Sequence, residues 1–533
     1  MISSLALERP GRWRAGGIGL LLGLIAAPDV LLLWRALGDG AAGAVGWSFV
    51  QAIGRSACIA GIAGLVGLMC GLPLGVGTAL YRFRGRALLL ALVTLPLLVP
   101  SFLWGIGWSS LAAALGVPFL LSGLPACVLV FAAGLVVPLV LLTAYAATAA
   151  LTGSQIDAAR LAGGEREVVW QASRNASAPA LLAAALGGVL TLVDPGPGQI
   201  FGEQTAASEI LTSFAALYDF GLAGRQCAVL AGLVLVGAVP LALLATARFA
   251  NDLLAKQTRR AVPVTHERLA VLMVGALAML TTAATILPTL GLLLPMVAGG
   301  PELLTWTARD PFQMNHPELV LFGAAAEVGR TAANSFLYAG GAALVAMLLG
   351  IGAAVCVGRF PRLRAAWLAA TLALFCVPPA LPALGIVALA TSSPAWADAL
   401  LRSRLTVCVA LGLRLVPVSS VIALRAWAST SPSWAMAAAL HGVPLHRYAA
   451  RVLVPVLRPA VGVGLLLVAL LASADIATVL LVHPPGESSL PLAIVTVMAN
   501  APEMLVSALC LVYIAGAAAM LGGLWVLSGA AEA

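Results

Sequence analysis

Charged residues are scarce in this chain of 533 residues. They make up 9% of the sequence, whereas hydrophobic residues make up 61%. Soluble domains carry roughly 25% charged residues, so this composition excludes an ordinary soluble globular protein. It predicts an all-α polytopic membrane protein. The formal net charge is +8. In a membrane protein an excess of basic residues marks the cytoplasmic loops, so we do not take it as a sign of nucleic-acid binding and predict no nucleic-acid partner.

Lysine is almost absent. The chain has 29 basic residues, and all of them except Lys256 are arginine. A P-loop needs the pattern GxxxxGK[ST], whereas Lys256 lies in the segment LLAKQ with no glycine near it. The chain therefore cannot bind ATP in that way. We predict a non-enzymatic protein that binds no cofactor itself.

Disulfide and metal motifs are also missing. The eight cysteines contain no CxxC pair and are scattered through apolar or membrane-edge sequence, which favours small buried side chains over disulfides or metal ligands. Two histidines, His316 and His483, are too sparse for a metal site. We predict that the chain holds no metal.

Long apolar runs are abundant. The first, Gly17–Leu37, exceeds the roughly 7–15-residue core of a signal peptide, so we expect a retained span, with cleavage after the Ala42-Gly43-Ala44 site as the alternative. Eleven further runs have about the length that crosses a bilayer. They are Ser56–Tyr81, Ala87–Ser110, Pro125–Ala150, Ala178–Val193, Cys227–Thr246, Leu269–Val297, Ser335–Val357, Ala365–Ala390, Leu405–Ala428, Ala460–Leu481 and Met504–Ser528.

The arginines predict the orientation of these twelve spans. With a cytoplasmic N-terminus, 21 of the 29 basic residues fall in the head, in the connections on that side or at their edges. Cytoplasmic loops of membrane proteins carry the excess of Lys and Arg. Since twelve is an even number, we predict that both termini are cytoplasmic.

An internal repeat with an offset of 279 residues is visible in the sequence. It relates Pro138 to Pro417, Pro100 to Pro379 and Ser56 to Ser335. Each copy contains six spans, so we predict two parallel six-helix repeats related by a pseudo-twofold axis along the membrane normal. The predicted division is a first repeat over residues 1–250, a cytoplasmic linker over 251–268 and a second repeat over 269–533.

The most polar cytoplasmic connection of the second half is the stretch from Ser431 to Pro459. Its sequence predicts two short helices joined by a turn, which we call an elbow. Ser431 suits a helix cap, and Pro432 suits the first helical position. Gly442 breaks this helix, and Pro444 begins a second short helix. In the first half, Ser154 to Asp157 reads as a capping box. Gly163 follows, 279 residues before Gly442. A plain cytoplasmic loop is the alternative for one elbow alone, but the matched pair favours a shared function.

These elbows carry a resemblance. Their sequences, DAARLAG and MAAALHG, resemble the cytoplasmic EAA loop of the permease subunits of ABC importers. The segments LPLLVPSFLWG and VLLVHPPGESSLPLAI resemble the fused two-copy permeases of ferric-iron importers and of their thiamine and aminoethylphosphonate relatives. The chain departs from the loop pattern at three positions: Asp157 and Met436 stand at the acidic position, and Ala176 stands at an expected proline.

The resemblance implies a function. It implies the permease subunit of a binding-protein-dependent importer in the bacterial inner membrane, with ferric iron or a small solute such as thiamine or aminoethylphosphonate as cargo. The implied partners are two copies of an ATP-binding ABC subunit, an extracytoplasmic substrate-binding protein and the lipid bilayer. Each elbow would lodge in one ATPase subunit through Asp157, Ala158, Ala159 and Gly163, or through Ala437, Ala438, Ala439 and Gly442.

Charged residues inside predicted spans are candidates for the translocation path, because they are costly in lipid. They are Arg414 in span ten, Asp475 near the end of span eleven and Asp194 at the end of span five. A purely structural Arg414–Asp475 ion pair is the alternative. The same three residues would also suit a different class of protein, a secondary transporter driven by an ion gradient. The loops 194–225, 299–330 and 483–504 are candidates to receive a binding protein.

Overall fold

The computed structural model describes residues 12–38, 45–249, 262–263, 267–298, 317–392, 399, 401–498 and 503–532. The first half contains the helices α1 (Arg12–Gly38), α2 (Trp47–Leu80), α3 (Arg86–Thr94), α4 (Ser101–Ala114), α5 (Gly123–Phe131), α6 (Val137–Ala149), α7 (Gly153–Val193), α8 (Gly196–Phe201), α9 (Ala206–Ala215) and α10 (Phe220–Phe249).

The second half continues this helical architecture. Its helices are α11 (Glu267–Thr281), α12 (Leu287–Ala298), α13 (Pro317–Val357), α14 (Pro361–Cys376), α15 (Ala380–Ser392), α16 (Arg404–Arg414), α17 (Val416–Ala428), α18 (Pro432–Leu440), α19 (Leu445–Tyr448), α20 (Val454–Ser473), α21 (Ile476–Val482), α22 (Leu490–Met498) and α23 (Glu503–Glu532). Two two-residue strands, β1 (Tyr81–Arg82) and β2 (Val262–Pro263), pair in parallel. Short π-helical turns separate α5 from α6 and α11 from α12.

The chain is an all-α multi-pass membrane protein. Among the described residues, nine helices are long and apolar enough to cross a bilayer, or up to twelve segments if each of three bent pairs counts as one span. The predicted number of about twelve lies at the upper end of this range. The bent pairs correspond to the third, ninth and tenth predicted spans.

Prolines explain these bends. The chain turns by 105° between α3, with its short 3-10 extension, and α4, and by 82° between α14 and α15. Pro100 and Pro379 immediately precede the second helix of each pair. The third bend, 62°, separates α16 from α17, where Pro417 occupies the first turn. Proline has no backbone N–H and clashes with the preceding turn, so a straight helix cannot continue through these positions.

Two helix crossings join distant parts of the chain. Helix α12 packs on α4, and α1 packs on α15. A Cβ atom at Gly107 of α4 would overlap the carbonyl oxygen of Pro288 in α12, and one at Gly385 of α15 would overlap the carbonyl oxygen of Pro28 in α1. Glycine is therefore required for the close approach of the backbones at both crossings.

Two serines make the same kind of contact in the two halves. The hydroxyl of Ser56 in α2 accepts a hydrogen bond from the backbone N–H of Ala206, the first residue of α9, at 2.9 Å. The hydroxyl of Ser335 in α13 accepts one from Leu490, the first residue of α22, at 2.7 Å. Each serine thereby satisfies one of the unpaired N–H groups at a helix start.

Candidate functional site

The first elbow is a kink inside α7. Gly163 has non-helical backbone angles, φ −158° and ψ 18°. Gly164 adopts φ 69° and ψ −157°, a backbone conformation that L side chains rarely adopt. The predicted break at Gly163 is thus shared by two glycines, and Gly164 carries the left-handed turn. The predicted capping box at Ser154 to Asp157 was wrong, because the helix cap lies two residues earlier. Thr152 and Gln155 form that box instead.

Ionic contacts brace the first elbow. Arg160 Nε lies 2.6 Å from Glu165 Oε1, and Arg160 Nη1 lies 3.7 Å from Asp157 Oδ1. The Tyr81 hydroxyl donates to Glu165 at 2.9 Å, which ties the elbow to the end of α2. Burial, followed by this hydrogen bond, raises the pKa of the Tyr81 hydroxyl, and Glu165 raises the pKa of Arg160. The network therefore bridges both sides of the kink.

The second elbow is held by apolar contacts. Ser431 caps α18 through a hydrogen bond from Ser433 N at 3.3 Å, and Pro432 opens the helix, as predicted. Gly442 has φ 65° and ends it. Ala435 and Tyr448 are buried against each other, with further small apolar side chains around them. This packing replaces the Arg160 network of the first elbow.

The tips of both elbows project away from the body of the protein. Leu161 is 90% exposed and Leu440 is 87% exposed, and they lie 279 residues apart. The predicted coupling residues divide in burial: Asp157, Ala158, Gly163, Ala437 and Gly442 are exposed, Ala438 and Ala439 are half-buried, and Ala159 is buried. The leucines were missed at the sequence level, although their shared offset within the elbows was a usable signal.

A cavity of about 260 Å³ lies where the bent helices converge. Two of the three proline residues at the bends, Pro100 and Pro379, border it, and so do Asp194, Arg414 and Asp475. The structure thus brings together the three charged residues that were selected as path candidates. Residues before 250 and after 269 contribute to its wall, so the cavity lies between the predicted halves.

The two aspartates are held by neighbouring donors. Asp194 Oδ2 accepts from the Ser101 hydroxyl at 2.7 Å, and Asp194 Oδ1 accepts from Gly196 N at 2.8 Å. Asp475 caps α21 and accepts from the backbone N–H and the hydroxyl of Thr478, both at 3.0 Å. Each aspartate therefore stands between a long helix and a short one.

Arg414 forms the predicted pair with Asp475. Its Nε lies 3.3 Å from Asp475 Oδ2, and the two side chains are 15% and 12% exposed. The guanidinium also lies 5.7 Å from the centre of the Phe375 ring, while Nη1 is buried without a hydrogen-bond partner. The 13-residue α17 leads from this break towards the second elbow, a rise of about 20 Å, so Arg414 lies well inside a hydrocarbon core of about 30 Å.

Asp29 is a charged neighbour that sequence reasoning missed. It lies in α1 and is 7% exposed, and its Oδ1 is buried without a hydrogen-bond partner. Asp29 and Arg414 both line a second cavity of about 30 Å³, which is large enough for a water molecule to join them. An acidic residue within the first apolar run was the available signal.

These features combine a charged cavity inside the helical body with exposed elbows at one end. No three His, Cys, Asp or Glu side chains cluster as a metal site in the described part of the chain. The comparisons gave no match, since no protein-family model, curated protein or solved structure matches this chain.

Proposed function

We propose that this chain is the permease subunit of an ABC importer, which forms the translocation path and couples to a separate ATPase through its two elbows. The paired elbows carry the proposal. Leu161 and Leu440 are exposed and lie 279 residues apart, and each is followed by a glycine with positive φ. The two elbows therefore present similar protruding surfaces to two copies of one partner. Two such surfaces suit a symmetric pair of ATPase subunits.

Matched contacts support a duplicated scaffold beneath the elbows. Ser56 and Ser335, which lie at the repeat offset, accept the same kind of hydrogen bond from the start of a short helix. The two glycine crossings are also reciprocal. The first predicted span of each half, through α1 or α12, packs on a bent helix pair of the other half, through α15 or α4. Both features agree with two parallel six-helix repeats about a pseudo-twofold axis.

The central cavity is the proposed translocation path. Discontinuous helices that meet near the middle of the membrane are typical of substrate sites in transporters. Here three helix breaks and three charged side chains border one cavity. A purely structural Arg414–Asp475 pair is the competing explanation for those charges.

The remaining parts of the proposal follow from the sequence resemblance. The protein would lie in the bacterial inner membrane with both termini cytoplasmic, and an extracytoplasmic binding protein would deliver the cargo. The loops 194–225 and 483–504 are candidates to receive it, whereas residues 299–316 of the third candidate loop lie outside the described part of the chain. Ferric iron or a small solute such as thiamine or aminoethylphosphonate is the proposed cargo.

Leucine substitutions at the tips test the ATPase interface. We expect Leu161→Ser combined with Leu440→Ser to abolish co-purification of a P-loop ATPase with the full-length chain, and to abolish ATP-driven uptake in reconstituted vesicles. Both side chains are almost fully exposed, so the substitutions should change unfolding free energy by less than about 0.5 kcal/mol. Leu115→Ser, at an exposed leucine directly after α4 and outside the elbows and the candidate loops, is the matched control. Full uptake by the double variant would reject the proposal.

A secondary transporter driven by an ion gradient is the second candidate. Three ionisable side chains around one intramembrane cavity favour it, since such groups serve as coupling relays. Transport by the purified chain alone, driven by a pH or sodium gradient without ATP, would establish this alternative. Uptake that requires both ATP and the partner ATPase would reject it.

A further inference from the structure

A second large cavity lies at the end of the molecule opposite the elbows. It has a volume of about 600 Å³. Tyr81 at the end of α2 contacts the first elbow, whereas Ser56 near the start of α2 contacts α9. Helix α9 is followed by α10, whose first residue, Phe220, lines this cavity. We call it the distal pocket.

The distal pocket lies at the level where membrane helices end. Its wall includes Leu32 near the end of the first candidate span, Phe220 at the start of another and Ala390 at the end of a bent pair. Nearby aromatic side chains are exposed, with Trp34 at 77% and Tyr218 at 74%. Aromatic residues of this kind are enriched at the membrane–water interface.

The ionisable side chains in the wall of the distal pocket are basic, and Asp219 lies beside Arg225 at its edge. Arg225, Arg402 and His483 line it, and no carboxylate does so among the described residues. Arg225 Nε is buried and has no hydrogen-bond partner. A buried guanidinium nitrogen without an acceptor is costly, and the planar guanidinium fork matches the oxygens of a phosphate group.

Apolar side chains form the rest of the wall, including Leu384, Ile386, Leu481 and Val482. A free inorganic anion gains nothing from such a surface, whereas the glycerol and upper acyl carbons of a phospholipid do. We propose that the distal pocket binds a phosphate-type oxyanion, supplied by the headgroup of an anionic phospholipid in the leaflet opposite the elbows. This site does not depend on the proposed ATPase coupling.

Binding of short-chain lipids to the purified full-length protein tests the site. The probes are dioctanoyl-phosphatidylglycerol, dioctanoyl-phosphatidylcholine and inorganic phosphate, measured by native mass spectrometry and by thermal shift. We expect phosphatidylglycerol to bind most tightly. Arg225→Gln and Arg402→Gln should each raise its dissociation constant by about tenfold, because each removes a charge-assisted contact.

The controls keep the outcome decisive. Arg84→Gln removes the same charge from an exposed residue near the elbows, and it should leave lipid binding unchanged. Arg402 is exposed, so its variant should fold even if the Arg225 variant does not. Phosphatidylglycerol binding that is unchanged in Arg402→Gln and in folded Arg225→Gln would overturn the proposal. Arginine-dependent binding of inorganic phosphate without lipid binding would overturn the phospholipid as occupant.

Discussion

Arg414 is a charged side chain in the middle of an apolar helical body, and its neighbours determine what that charge costs. An unpaired arginine at this depth costs on the order of 3 kcal/mol even on insertion scales. Asp475 lies 3.3 Å from its Nε, and Phe375 lies under the guanidinium. Nη1, which has no hydrogen-bond partner, leaves its N–H groups for a solute or for water. The pair is therefore neutralised but incompletely hydrogen-bonded, as a path residue would be.

The first prediction concerns this pair. Arg414→Leu should lower the free energy of unfolding by about 3 kcal/mol, because it leaves the Asp475 carboxylate buried without its cation. The variant Arg414→Leu with Asp475→Asn should recover most of that loss but should not recover uptake. Thermal unfolding in detergent and uptake in reconstituted vesicles measure the two effects.

Arg425→Leu is the matched control for Arg414, since Arg425 is an exposed arginine of α17. It should leave thermal stability close to that of the unmodified chain. Recovery of uptake in the neutral double variant would show that the pair is only structural.

The second prediction concerns pH at the distal end. Arg404 Nη2 donates to Glu487 Oε1 at 2.7 Å, and this contact holds the pKa of Glu487 below its ordinary value of 4.5. The contribution to stability is therefore complete above pH 4.5 and is lost as the pH falls through the lowered pKa. The difference in Tm between the unmodified chain and Glu487→Gln should be present at pH 7 and should shrink below pH 4.5.

The pair is exposed, so its effect should be small and should weaken with added salt. A double-mutant cycle of Arg404→Gln and Glu487→Gln measures the coupling energy of the pair, and this coupling energy should disappear at low pH. A pH-independent coupling would contradict the assignment. Loss of the pair should change the structure only locally. The backbone carbonyl of Glu487 also accepts a hydrogen bond from the Tyr338 hydroxyl at 2.8 Å, and this contact holds the same loop against α13.

At the scale of elements, the elbows share a geometry but not its support. Ionic contacts around Arg160 hold the first, whereas apolar packing of Ala435 and Tyr448 holds the second. Asp157 also presents an exposed carboxylate that Met436 lacks, at 73% side-chain exposure. The two elbows therefore offer different chemistry to a partner.

The third prediction compares them. If the proposed ATPase docks on the elbows, Asp157→Ala should reduce ATP-driven uptake more than Met436→Ala, because only the aspartate can make a charge-assisted contact with it. Both side chains are exposed, so neither variant should change thermal stability appreciably. Equal losses of uptake in the two variants would show that the Asp157 carboxylate makes no specific contribution to coupling.

The whole molecule is joined by reciprocal crossings. Helix α1 lies against α15, and α12 lies against α4, so neither predicted half packs only on itself. Glycine permits both contacts, since the opposing carbonyl oxygens of Pro28 and Pro288 occupy the space of a side chain. Separation of the halves would expose these apolar surfaces.

The fourth prediction tests this interlocking. Gly107→Ala and Gly385→Ala should each destabilise the protein by about 1–3 kcal/mol, because the new methyl group forces the helices apart. Gly54→Ala is the control: nothing lies within 4 Å of its added Cβ, and alanine favours a helix. Thermal unfolding of the three variants in one detergent measures the effect. Tm values in Gly107→Ala and Gly385→Ala no lower than in Gly54→Ala would contradict it.

The sequence by itself determined the features that depend on local chemistry. Hydrophobic run length indicated the membrane class and the approximate number of spans, because crossing a bilayer requires a fixed length of apolar helix. Ser431, Pro432 and Gly442 located the second elbow, because capping, proline and left-handed backbone act within a few residues. The first cap was misplaced because Thr152 and Ser154 are both suitable caps, and only the backbone path selects between them.

Tertiary structure alone decided which distant groups meet. The sequence named Asp194, Arg414 and Asp475 as candidates for one path, but it did not indicate that Asp29 would lie behind the arginine. It also did not reveal that three predicted spans are sharply bent. Helical rise fixes depth along one helix, whereas the rotation and crossing of helices depend on side-chain packing between segments far apart in sequence.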